Sequence, residues 1–110
     1  MNVGIFGFTK KNSMDINEGV RRLAEEPGAV LLDVREPQEF AAGHIPGSVN
    51  LPLAGISNAG QKAPDMTAPV YVYCLSGGRS ARAAAALRDM GYTNVTDLGG
   101  ISAYKGRTER

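Results

Sequence analysis

Apolar residues along this chain recur in two distinct patterns. Ile16, Val20, Leu23 and Ala24 return with the spacing of one helix face, Asp15 and Glu18 stand ahead of them at capping-box distance, and Pro27-Gly28 closes the run. A short amphipathic helix is predicted there. Residues 29–34 and 69–73 are instead nearly continuous apolar stretches, the pattern of strands buried on both faces of a parallel sheet. Between them the pattern predicts a proline-initiated helical turn at residues 37–41 with Phe40 inward, a loop at 43–47 and a short extended piece at 48–51. The glycine- and proline-punctuated connection at 54–69 reads as the least structured part of the chain. Residues 80–90 are rich in helix formers, with Ala83, Ala84, Leu87 and Met90 placed for burial and Gly91 where a helix-ending glycine belongs. Residues 94–98 read as a further strand, followed by Gly99-Gly100 and a closing segment through Tyr104. Residues 1–14 are ambiguous: Ile5, Phe6 and Phe8 suit an edge strand, and residues 10–13 a solvated connector. Strands alternating with helices predict an α/β domain around a mostly parallel sheet.

At 110 residues and 43% hydrophobic, the chain is sized for one domain whose core needs no disulfide or structural metal. Its 12 Lys and Arg against 11 Asp and Glu give no overall basicity that would suggest nucleic acid. The charge is unevenly spread, however. Residues 70–110 carry Arg79, Arg82, Arg88, Lys105, Arg107 and Arg110 against only Asp89, Asp97 and Glu109. No apolar run could span a bilayer, and residues 3–8 are too short for a span or a signal sequence. One cysteine cannot form an internal disulfide, so a reducing, cytoplasmic setting is expected. The lone His44 and lone Cys74 are too few for a usual zinc site, and no metal or other cofactor is expected.

Cys74 stands where an apolar strand breaks into Leu75-Ser-Gly-Gly-Arg-Ser80, with the alanine-rich helix immediately behind. Strand, glycine loop and helix in that order place a sulfur in a bowl of backbone N–H groups at a helix N-terminus, where anions are favoured. A thiol there ionises easily, and a thiolate is a nucleophile. The plain alternative is a buried, inert cysteine. Such a residue has no need of Ser76, Gly77, Gly78 and Arg79 directly behind it; the paired glycines let the backbone curl and turn N–H groups inward.

Four segments in order carry a family resemblance: residues 31–40 (LLDVREPQEF), 43–50 (GHIPGSVN), 73–80 (YCLSGGRS), and 91–101 with GYTNV and LGGI. Together, over about residues 16–105, they resemble the signatures of single-domain rhodanese-like sulfurtransferases. The resemblance implies a domain over residues 16–110 with a central, mostly parallel, five-stranded sheet flanked by helices, and a cysteine that carries sulfur as a persulfide. Residues 1–15 are left as an extension or edge strand. Tyr104 stands where many relatives place tryptophan.

In that frame Cys74 is the expected catalytic nucleophile, taking sulfur from an anionic donor such as thiosulfate. With no second cysteine, the acceptor is an external small thiol or protein thiol, with cyanide as a laboratory substitute. Leu75, Ser76, Gly77, Gly78, Arg79 and Ser80 form the expected substrate loop. Arg79 is expected to orient an oxyanion donor through its planar fork, with Arg82 one turn on as a weaker helper. Ser76 and Ser80 could hydrogen-bond the substrate, although helix capping explains Ser80 equally well. Asp33 and Arg35 flank Val34 at a strand end and read first as a structural ion pair or loop anchor. His44 reads as a loop-fixing hydrogen-bonder, because thiolate attack on sulfur removes no proton. Tyr71, Tyr73 and Tyr104 read as core or rim residues. A cysteine phosphatase or arsenate-reductase-like enzyme is the nearest rival. Those signatures resemble Cys-x5-Arg, whereas Cys74 to Arg79 is one residue shorter, a smaller bowl that suits sulfur better than a phosphoryl group. A binding or sensing module without turnover is the third reading, weakened by the retained cysteine.

Overall fold

The computed structural model describes residues 13–110, so the edge strand expected around Ile5 and Phe8 lies outside the described residues. The elements run α1 (Ile16–Leu23), β1 (Val30–Asp33), α2 (Pro37–Ala42), β2 (Val49–Asn50), a 3-10 segment (Leu53–Gln61), β3 (Val70–Cys74), α3 (Gly78–Asp89), β4 (Val95–Gly100) and a last 3-10 turn (Ile101–Ala103). Asp15 caps α1 by accepting the Glu18 N–H at 3.1 Å, and Glu36 and Glu39 form a reciprocal capping box on the short α2.

All strand pairs are parallel, in the order β2-β1-β3-β4. Among the described residues the sheet therefore has four strands, where five were expected. The outer edge of β4 is nonetheless paired at one point, where Ser13 bridges Asp97 in parallel sense and the Met14 N–H donates to the Asp97 carbonyl at 3.1 Å. One bridge does not make a strand, so among the described residues the sheet keeps four strands.

Alternation along the strands splits the core into two layers. Leu32, Val70, Val72 and Cys74 face α3 and pack with Ala83, Ala84 and Leu87. Leu31, Tyr71 and Tyr73 face the other way and pack with Ile16, Ile45 and Leu98 under α1. The parity of β3 thus places Cys74 on the α3 side of the sheet.

The connection read as least structured is ordered. Leu53–Gln61 forms a 3-10 helix, broken in geometry only at Gly55. Leu53, Ile56 and Ala59 recur every third residue, the 3-10 period, and pack on the α3-side core. Phe40 also departs from expectation. It is half-buried, and its ring stacks on His44 at 3.7 Å and 5°.

Candidate functional site

The sheet order makes β1 and β3 neighbours while their connections leave to opposite sides, so the carboxyl ends of these strands open the crevice where α/β folds bind ligands. Asp33 ends β1, Cys74 ends β3 and Gly100 ends β4. A cleft of about 330 Å³ lined by Pro27, Val30, Ala63, Pro64, Ala68 and Pro69 lies where β1 and β3 begin, at the other end of the sheet. It is mostly apolar, with Asp65 its one ionisable lining residue.

Cys74 is almost wholly buried, 1% exposed, whereas Leu75 just after it is 46% exposed. Gly77, the N-cap of α3, takes φ 114°, a left-handed conformation open to glycine at little steric cost. That twist turns the Gly77 N–H onto Cys74 Sγ at 3.0 Å. Burial pushes the thiol pKa up. The Ser80 hydroxyl and the N–H groups of Ser80, Gly77 and Ser76 outweigh it, and the thiol is held below its ordinary value. The positive end of α3 adds to the same preference for an anion.

Ser80 is fully buried in the first turn of α3. Its hydroxyl reaches the carbonyls of Gly77 at 3.1 Å and Gly99 at 3.4 Å. A hydroxyl has one hydrogen, so it can serve either a carbonyl or the thiolate, and its bond to the sulfur favours the charged form. Gly77, not Ser80, occupies the cap position.

Gly100, expected only as one of a glycine pair after the last strand and part of the family signature, sets the height of the loop. A side-chain carbon there would stand 2.5 Å from Ser76 Cα and 2.7 Å from the Leu75 carbonyl carbon. Only a residue without Cβ allows the loop to lie on the end of β4, where the Ser102 N–H donates to the Leu75 carbonyl at 3.2 Å. The register shift between Val72 and Cys74, which pairs Cys74 with Gly100, belongs to the same close approach.

Arg79 does not present an open fork. Its Nη1 and Nη2 donate to Oε1 and Oε2 of Glu39 at 2.7 and 3.0 Å. Glu39 Oε1 also accepts the Glu36 N–H at 2.8 Å. The hydrogen bond from Arg79, and after it the one from the Glu36 backbone, hold the Glu39 carboxyl down at about 2. Glu39 was read only as part of a helical turn. No local signal marks it, because its partner lies 40 residues away. Arg82 is exposed on α3.

Asp33 and Arg35 form a buried pair. Arg35 Nε donates to both carboxylate oxygens at 3.0 and 3.1 Å and Nη2 to Oδ2 at 2.7 Å, while the Arg35 N–H reaches Oδ1 at 2.9 Å. Nη2 also donates to the Gly43 carbonyl at 2.8 Å, tying the 43–47 loop to the end of β1. The guanidinium lies 5.7 Å from the centre of the Tyr73 ring. His44 Nδ1 lies 2.8 Å from the Phe40 carbonyl, and the His44 backbone exchanges two hydrogen bonds with Glu109 at 2.9 Å each. The Tyr73 hydroxyl accepts the Ile45 N–H at 3.1 Å and meets Ser48 Oγ at 3.1 Å. Tyr71 donates to Glu26, and Tyr104 to the Arg107 carbonyl at 3.2 Å. Asp33, Arg35 and His44 thus tie the 43–47 loop to β1, α2 and the C-terminal segment, while Gly77 and Ser80 surround Cys74 at the end of β3.

Comparison with known proteins agrees with this architecture. The family profile described as "Rhodanese-like domain" matches residues 17–107. The chain belongs to the rhodanese-like family, an α/β fold built on a parallel sheet flanked by helices. It is 43% identical over 82 residues to "Uncharacterized protein YqhL" of Bacillus subtilis, covering 72% of this chain and 63% of that protein. It is 40% identical over 86 residues to "Thiosulfate sulfurtransferase GlpE" of Pseudomonas entomophila, covering 74% of this chain and 78% of that one. Among solved structures, "rhodanese with anions from E. coli" aligns with a TM-score of 0.70 at 31% identity, over 74% of this chain and 98% of that chain. Among the described residues no helix is long and apolar enough to cross a membrane.

Proposed function

We propose that this protein is a sulfurtransferase that carries sulfane sulfur on Cys74. The observation that carries this reading is the Gly77 N–H at 3.0 Å from Sγ, at the mouth of α3, in a loop folded tightly enough to hold a single soft anion. The Cys74 thiolate attacks the outer sulfur of a donor such as thiosulfate. A new S–S bond forms, the donor S–S bond breaks, and sulfite leaves with that electron pair. In the second step an external thiolate attacks the outer sulfur of the persulfide, leaves as its own persulfide, and returns Cys74 to the thiolate. A protein or small-molecule thiol is the cellular acceptor, and cyanide serves in the assay. Both resting forms are anions, so inward N–H groups of the loop stabilise each of them.

Leu75, Ser76 and Gly78 form the exposed rim through which the donor reaches the sulfur. Asp33, Arg35 and His44 keep that rim in place and take no proton. The names of the GlpE relatives support thiosulfate as donor. The engaged fork of Arg79 tells against phosphatase chemistry, which needs that fork for a phosphoryl group.

The test is incubation with thiosulfate followed by intact mass measurement and a thiocyanate assay with cyanide. A gain of one sulfur atom, absent in Cys74→Ser, together with thiocyanate formation, is expected. No added sulfur and no thiocyanate would refute the proposal, and turnover of an aryl phosphate that depends on Cys74 would replace it.

A further inference from the structure

We propose that Glu39 is a specificity-determining residue of the Cys74 pocket. By filling the guanidinium fork of Arg79 it removes that cation from donor recognition, and so favours sulfane donors of single or no charge over doubly charged oxyanions. The inference rests on the sulfurtransferase reading and names the class of donor within it.

Arg79 is the only charged residue between Cys74 and Ser80. It lies in the first turn of α3, whose N-cap N–H meets the sulfur. Left alone, its planar fork would be a ready receptor for two oxygens of a sulfonate. Both arms are instead spent on Glu39, at 2.7 and 3.0 Å. The pair is geometrically complete on the carboxylate side as well, because Glu39 Oε1 is also fixed by the Glu36 N–H at 2.8 Å as part of the α2 capping box. An incoming dianion would have to displace a two-point partner already oriented by its own helix.

Charge bookkeeping leads the same way. Arg79 and Glu39 together carry no net charge, so within the loop the pull on the donor comes from backbone N–H groups and the end of α3, with the exposed Arg82 one turn further on. Those groups stabilise one sulfur-sized anion, whereas a second donor charge finds no free cation on the loop. The rim beside them is apolar at Leu75, 46% exposed, which suits an organic substituent on the donor. A monoanionic donor with a carbon group, such as an aryl thiosulfonate or an alkyl persulfide, matches this combination better than thiosulfate does.

The experiment compares kcat/KM for thiosulfate, a dianion, with that for benzenethiosulfonate, a monoanion, in the wild-type protein, in Glu39→Gln and in the double variant Glu39→Gln with Arg79→Gln. Freeing the guanidinium in Glu39→Gln should raise the thiosulfate to benzenethiosulfonate ratio about two- to fivefold, the range for a partly exposed charge pair, and make it more salt-dependent. The double variant is again neutral and should return the ratio towards the wild-type value. A purely structural role for Glu39 would lower both donors together and leave the ratio unmoved. That outcome, or a double variant whose ratio falls tenfold or more below wild type, overturns the inference. If Glu39→Gln does not fold, the double variant and the salt dependence of the wild-type ratio decide it, a steep dependence counting against a masked cation. Absence of sulfur transfer from either donor in the wild-type protein would instead refute the sulfurtransferase reading itself.

Discussion

Replacing Gly100 by alanine adds a single methyl group where the active loop rests on β4. That carbon would stand 2.5 Å from Ser76 Cα and 2.7 Å from the Leu75 carbonyl carbon, and closer still to the Leu75 oxygen. Carbon atoms in contact prefer about 3.5–4.0 Å, so the overlap is on the order of 1 Å against several atoms at once. All of them are backbone, so no side chain can rotate out of the way. The strand is equally fixed, because Gly100 pairs with Cys74 and the Ser102 N–H holds the Leu75 carbonyl at 3.2 Å. Overpacking of this kind costs roughly 1–3 kcal/mol, and a clash with backbone on both sides belongs near the upper end. At about 3 kcal/mol the melting temperature should fall by roughly 10–20 °C for a domain of this size. If the loop lifts to relieve the clash, the Gly77 N–H leaves the sulfur and the thiol pKa rises towards its ordinary value. Thermal unfolding followed by circular dichroism measures the first effect, and the rate of thiol alkylation against pH measures the second. Gly78→Ala is the control: an added carbon there meets nothing within 4 Å and sits in the first turn of α3, so its stability should match or slightly exceed wild type. A Gly100→Ala protein that melts within about 3 °C of wild type and alkylates at the same pH midpoint would refute the steric reasoning.

Four other outcomes are expected. The Cys74 alkylation midpoint should lie below that of an unperturbed thiol, since the donors from Ser80, Gly77 and Ser76 outweigh burial. Ser80→Ala should move it upward, so that at neutral pH a smaller thiolate fraction reacts; an unchanged midpoint would exclude the hydroxyl as a contributor. Asp33→Ala leaves the Arg35 guanidinium buried without its carboxylate and should destabilise the fold by roughly 3–5 kcal/mol in denaturant titration, whereas a loss under 1 kcal/mol would mean that water reaches Arg35. Tyr92→Phe removes a buried hydrogen bond to the Ala63 carbonyl at 2.5 Å and should lower stability by about 1–2 kcal/mol, measured the same way; no loss would show that the carbonyl finds another partner.

What the chain determined by itself was the order and kind of its elements and its candidate nucleophile. Nearly continuous apolar runs at residues 29–34 and 69–73 point to strands buried on both faces, Asp15 and Glu18 mark a helix start, and a cysteine followed by paired glycines and a helix is a local arrangement legible without neighbours. The 3-10 segment at Leu53–Gln61 was hidden because Gly55 and Gly60 break a helical pattern, although the three-residue spacing of Leu53, Ile56 and Ala59 was there to be read. Tertiary structure alone decided what the loop touches. Glu39 meets Arg79 only because the fold brings α2 beside the start of α3, and Gly100 becomes indispensable only when β4 lies under residues 75 and 76. Propensity and periodicity act over a few residues, whereas charge pairing and steric fit depend on distances in space that the order of residues does not contain.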